Sequence, residues 1–160
     1  MPFSAAGLGT HAEGFGVEFT LPTAEKWVGN FQPGAGGASV VLAAPDAAQV
    51  IVVSGGQGYV VAPSSRSLVR CFGGTISEVL FLPEQRALLV DNGLWFERVE
   101  KGESVWTSRR VSWDGMLNVT VTDSTLVGEA YDPMTNDWIP FQVDLETGDV
   151  RGGSYPQELA

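Results

Sequence analysis

Cysteine and histidine are almost missing from this chain: its 160 residues include one of each, Cys71 and His11. A single thiol cannot form an intramolecular disulfide, so a stapled secreted scaffold is excluded. One Cys and one His cannot supply the three or four N/S ligands of a zinc site, and no metal or other cofactor is expected. A Ser-His-Asp or Cys-His nucleophile would have to work through His11. That residue lies in the glycine-rich stretch 7–16, where a base is not held within hydrogen-bond reach of a substrate.

Basic residues are also scarce. Nine Lys and Arg stand against 19 Asp and Glu, for a net charge of −10. Phosphate binding needs clustered cations, so nucleic acid is not an expected partner. An anionic membrane surface is disfavoured for the same reason. No apolar run approaches the ~18 residues of a spanning helix. The N-terminus has neither the basic start nor the apolar stretch of a signal peptide. These absences point to a reduced, cytoplasmic protein. Asn118-Val119-Thr120 matches the glycosylation sequon, and with no signal peptide it carries no expectation.

Long uninterrupted helical patterns are lacking too, because 20 glycines and nine prolines punctuate the chain. The segment 23–30 could form a turn or two of helix capped by Thr23, or a loop leading into an edge strand. An N-terminal strand is expected at 17–20. From residue 38 onward, short apolar or alternating runs follow one another: 39–42, 50–53, 59–62, 68–72, 76–82, 87–90, 94–99, 104–111, 117–122, 125–131, 138–144 and 150–155. Their length and their Val, Leu, Phe and Trp content suit strands.

Turn chemistry separates the runs. Asp91-Asn92-Gly93 predicts a type I′ hairpin, since Asn-Gly tolerates positive φ. Glu100-Lys101-Gly102-Glu103 and Glu146-Thr147-Gly148-Asp149 fit longer hairpins with a left-handed glycine. Three sets of turns begin at Pro45, Pro83 and Asp123, at Gly55, Asp91 and Asp132, and at Pro63, Glu100 and Glu146. The step is about 40 residues with four strands per step, the period of a propeller blade.

Gln142-Val143-Asp144-Leu145-Glu146-Thr147-Gly148-Asp149-Val150 resembles the strand–turn–strand signature of quinoprotein-type and WD40-like β-propeller repeats. Residues 96–106, with Trp106 in the place of the blade tryptophan, and 63–72 are looser versions. The resemblance implies blade-like structure and no quinone ligands. The segments 108–115, 128–133 and 138–141 also resemble uncharacterised bacterial proteins, which implies no activity. The expected fold is therefore all-β: about three antiparallel four-stranded units at 38–74, 75–112 and 113–155, after a partly flexible segment 1–37. The units would form a propeller-like arrangement or open, curved sheets. A β-sandwich is the alternative. Open sheets leave edges through which copies could pair.

Few residues offer chemistry. The glycine clusters 34–37 and 55–58 precede no helical run, so they read as turns rather than phosphate loops. Asp132, Asn136 and Asp137 lack the alternating ligands of a calcium loop and read as a hairpin. Asp91, Glu97, Asp114 and Glu129 could in principle pair as glycosidase carboxylates, and no spacing pairs any two of them. The densest segment is 105–115. Continued alternation there would put Trp106, Ser108 and Arg110 on one face and Arg109, Val111 and Trp113 on the other. Trp and Arg mark binding hot spots, but an Arg over an indole can be purely structural, and for this segment the structural reading comes first. The candidate binding residues are Trp95, Trp106, Arg109, Arg110, Trp113, Asp114 and Trp138; no catalytic residue is assigned. Two functions follow as expectations. One is a non-catalytic interaction protein, such as an inhibitor or immunity protein for a basic partner. The other is a small-ligand or carbohydrate-binding module with possible carboxylate-based hydrolysis.

Overall fold

The computed structural model describes residues 1–5, 13–44, 48–82, 86–100 and 103–156. Among them there is no helix and there are fifteen strands. The chain divides into two compact units, Met1–Val79 and Leu80–Ala160.

The first unit opens with a three-stranded sheet of β1 (Pro2–Phe3), β2 (Phe15–Thr20) and β3 (Lys26–Phe31). Its order is β1-β3-β2, with β1 parallel and β2 antiparallel to β3. The segment 23–30 is thus neither helix nor edge strand: β3 is central. Its alternation buries Trp27, Gly29 and Phe31 on one face. Phe3 stacks on Phe31 at 4.7 Å and Phe19 on Trp27 at 4.4 Å between ring centroids. This aromatic face packs on Val52, Tyr59 and Val61 of a second sheet. That sheet runs β4 (Val40–Ala43), β5 (Val50–Ser54), β6 (Gln57–Ala62) and β7 (Ser67–Gly73) in chain order. Tyr59 donates its hydroxyl to the Gln32 carbonyl at 2.7 Å and Trp27 its indole N–H to that of Pro63 at 3.2 Å.

The glycine cluster 34–37 serves close backbone approach. Gly34 donates to Ser54, Ala35 to Gly74, Gly36 to Gly55 and Ala38 to Ile76, all through backbone N–H and C=O. A Cβ at Gly36 would lie 2.2 Å from the Ile76 oxygen. The two-residue turn with both φ positive falls at Gly55-Gly56, between the paired Ser54 and Gln57.

The second unit holds two sheets, each an up-and-down meander in chain order. The first comprises β8 (Glu78–Leu82), which crosses the division, β9 (Ala87–Asp91), β10 (Phe96–Glu100) and β11 (Glu103–Thr107). The second comprises β12 (Met116–Thr122), β13 (Thr125–Asp132), β14 (Asp137–Asp144) and β15 (Val150–Gly152). Leu82, Leu89 and Phe96 of the one pack with Leu126, Ala130, Phe141 and Val143 of the other. The three four-stranded antiparallel sheets are blade-like units, and the fold is all-β.

Local details depart from expectation for identifiable reasons. β9 and β10 are joined by a four-residue loop rather than a type I′ turn, with Asp91 paired to Phe96. The Asn92 side chain accepts the Leu94 and Trp95 amides, each at 3.0 Å, which holds a wider Asx-type loop. β11 stops at Thr107, short of 111: the buried Ser108 hydroxyl accepts the Phe96 amide and donates to the Arg109 carbonyl. β15 stops at Gly152 because Gly152 and Gly153 both turn to positive φ. The turn residues at Pro45, Pro83 and Lys101-Gly102, and His11, lie outside the described residues.

Candidate functional site

Strand alternation gives the β12–β15 sheet two unlike faces. One carries Leu126, Gly128 and Ala130 of β13 against Phe141 and Val143 of β14, and forms the core. The other carries four cross-strand pairs in succession along β13 and β14: Thr125 with Asp144, Val127 with Gln142, Glu129 with Pro140, and Tyr131 with Trp138. Leu117 of β12 stands beside Glu129, and Arg151 of β15 beside Gln142. This outer face is open. Trp138 is 39% exposed and Leu117 47%. Tyr131 and Trp138 meet with ring centroids 5.1 Å apart at 48°.

Two irregularities shape that face. A bulge in β12 shifts register between Leu117 and Thr120 and puts Asn118 at φ 53°. Bulges re-aim side chains; here the Asn118 amide donates to a Glu129 carboxylate oxygen at 2.6 Å. Pro140 sits within β14, a position usually closed to proline because a ladder N–H is lost. Its carbonyl accepts Gly153 N–H at 3.0 Å, just past the end of β15, so its missing N–H faces a stretch where the partner strand has already ended.

The face is grooved. A cavity of about 460 Å³ is lined by Asn118, Val127, Glu129, Pro140, Gln142 and Arg151, among others. A smaller one of about 180 Å³ adjoins it through Gln142 and Arg151 and is completed by Thr125, Asp144 and Asp149. Carboxylates ring the face at both ends. Residues 116–152 contain seven acidic side chains and one basic one, Arg151, so they carry −6 of the chain's −10. Asp123, Asp144, Glu146 and Asp149 lie at one end and Asp132 and Asp137 at the other, in the hairpin connections or at the strand ends beside them. Backbone amides of Thr147 and Glu146, both donating to Asp144, hold its carboxyl below the ordinary range, with Arg151 adding to the effect.

The other tryptophans and arginines singled out from sequence do not join this face. Trp106 packs against the core, donates its indole N–H to the Leu145 carbonyl at 3.1 Å, and lies under Gly148. Arg110 lies over the rings of Tyr155 (4.6 Å) and Trp113 (5.6 Å) and donates to the Ser112 and Trp113 carbonyls. Arg109 donates to the carbonyls of Arg110, Gly152 and Tyr155, fastening the C-terminal segment. The expected alternation through Arg110 and Trp113 ends with β11. Trp95 is half-buried in the β9–β10 loop, and Asp114 is exposed in the turn before β12. Of the seven candidates, only Trp138 stands on the grooved face. Glu129, Tyr131, Gln142 and Arg151 complete it; of these four the sequence offers only Glu129 for chemistry, as a carboxylate within a strand.

Catalytic alternatives find little geometry. Glu97 pairs with Val90 on the face of β10 opposite Phe96, and Glu129 faces away from the same core on β13, so core separates the two. Asp132 accepts the Met134 amide and the Thr135 hydroxyl, and its carbonyl accepts the Asn136 amide, which makes the 132–137 segment a self-bonded turn. Burial pushes the Cys71 thiol up, away from the thiolate. Among the described residues no cluster of three His, Cys, Asp or Glu could hold a metal ion, and no helix is long and apolar enough to cross a membrane.

No family model matches the chain, and no curated protein matches it. Among solved structures it is similar to the WD40 domain of Pan2 from Neurospora crassa, at 13% identity and a TM-score of 0.49, over 74% of this chain and 38% of that one. It is also similar to hydrazine synthase from Kuenenia stuttgartiensis, at 13% identity and a TM-score of 0.41, over 91% of this chain and 51% of that one. The chain spans about two fifths of the first structure and half of the second.

Proposed function

We propose that this chain is a non-catalytic binding protein and that the outer face of the β12–β15 sheet receives a protein partner with a basic surface. The observation that carries this reading is the coincidence of an open, partly apolar groove with a strong charge imbalance: six surplus negative charges over residues 116–152. Binding surfaces combine an apolar centre with a polar rim. A one-sign field also speeds encounter with a partner of opposite charge and repels nucleic acid and anionic lipid. An inhibitor or immunity protein that covers a basic toxin is the form of this function that fits best. The test is capture of partners at low and high salt, followed by mapping with Trp138→Ala and Glu129→Gln. A basic partner that salt releases and both variants weaken supports the reading. A partner of average charge whose capture ignores salt and both substitutions overturns it.

Exposed Trp138 beside Tyr131 supports a second reading, a carbohydrate platform. Titration of tryptophan emission against a sugar panel tests it, and a response that survives in Trp138→Phe would remove it.

A further inference from the structure

We infer that the groove on the β12–β15 face is a receptor for a single arginine side chain of the partner, with Glu129 as its carboxylate and the Tyr131–Trp138 pair, just beyond the groove on the same face, as its aromatic platform. The inference rests on the binding-protein reading and specifies the chemistry of the group received.

Glu129 is the groove's own carboxylate. Among the described residues no Lys or Arg lies within ion-pair distance of it. Its hydrogen-bond partner is the neutral Asn118 amide, which fixes the carboxylate without cancelling its charge. The groove's one cation, Arg151, stands beside Gln142 and also lines the smaller cavity with Asp144 and Asp149. Its charge acts on the Asp144 carboxylate, and it stands two cross-strand pairs from Tyr131 and Trp138. The floor at Val127 and Pro140 is apolar and suits an aliphatic stem. Next along the same face come the rings of Tyr131 and Trp138. Successive same-face pairs are about 7 Å apart, so one extended side chain can meet both the carboxylate and the rings.

A guanidinium satisfies this set better than an ammonium. It is planar, offers parallel N–H donors to a fixed carboxylate, and stacks on aromatic faces, whereas an ammonium is a strongly hydrated point charge. The cation–π contribution also requires the rings to be open on one side, as Trp138 is.

The experiment measures binding of labelled hexa-arginine, hexalysine and hexaglutamate peptides at low salt, for the full chain and three variants. Hexa-arginine should bind about tenfold more tightly than hexalysine, and hexaglutamate should not bind. Glu129→Gln and Trp138→Ala should each weaken hexa-arginine by about tenfold and erase its advantage, with thermal melting unchanged. The rim variant Glu146→Gln should weaken both basic peptides alike, by less than about threefold. Equal affinity for the two basic peptides, or indifference to Glu129→Gln, would overturn the arginine receptor and leave the basic-partner reading standing. No binding of either basic peptide would remove both. Self-association in sedimentation that Trp138→Ala abolishes would assign the face to a second copy and overturn the arginine receptor.

Discussion

The two faces of the β12–β15 sheet are built from alternate residues of the same strands, yet they obey different rules. On the inner face, packing decides everything. Gly128 is required there because a Cβ would lie 2.7 Å from the Phe141 ring, and Trp106 fits under Gly148 because that position also lacks a side chain. On the outer face, the same strands present Glu129, Gln142, Tyr131 and Trp138 to solvent or half to it. The lesson lies in the two tryptophans. Trp106 spends its N–H and its ring on the fold, whereas Trp138, 39% exposed, spends a single ring contact on Tyr131.

Substitution can break this contrast, and the largest effect belongs to the core. Phe141→Ala removes a ring that is 2% exposed and meets Phe96 at 5.7 Å. It should cost about 3–5 kcal/mol in denaturant unfolding. Trp138→Ala, from the adjacent outer face, should stay within about 0.5 kcal/mol. Comparable losses for the two would mean that the outer face is packed. Gly148→Ala comes next. Its φ is +79° and the new methyl would lie 2.8 Å from the Trp106 ring, so a loss of about 1–3 kcal/mol is expected. Double substitution with Trp106→Leu should recover part of that loss, because the obstructing ring is gone. Trp106→Phe keeps an aromatic ring and deletes the hydrogen bond to Leu145, for a smaller loss of about 1 kcal/mol.

The strands and blade-like sheets were legible because their signals are local. Period-two alternation and turns such as Gly55-Gly56, Asp123-Ser124 and Thr147-Gly148 mark where each strand stops. What local pattern cannot say is which face of an alternating strand meets the core. β13 reads Leu126, Gly128, Ala130 on one side and Val127, Glu129, Tyr131 on the other, and it is Leu126 and Ala130 of the smaller set that enter the core. Small residues win there because Phe141 fills the space they leave. The arginines misled for a related reason. Arg109 and Arg110 find their carbonyls and rings partly in the C-terminal segment, 43 to 46 positions away for Arg109. Arg110 also has structural partners close in sequence, the Trp113 ring and the Ser112 and Trp113 carbonyls. Asn118 in its bulge was equally hidden, since the motif that contains it suggests only a sequon.

The subtlest difference concerns Asp144, at the outer face's acidic end. Its side chain accepts the Glu146 and Thr147 amides at 2.9 Å each, which is what turns β14 into β15 and carries Gly148 onto Trp106. Those bonds favour the charged form, so the folded-state pKa lies below the unfolded one. The linked stability is therefore fully present above the ordinary value of 3.8 and is lost as pH falls through the lowered folded value. Asp144→Asn keeps an acceptor oxygen but has no proton to gain. Its unfolding midpoint should thus be slightly lower than that of the parent near neutrality, and the gap should narrow as pH is taken below 3.8. Urea unfolding of both proteins across that interval measures it. Parallel curves would show that the Asp144 turn bonds contribute nothing to acid sensitivity.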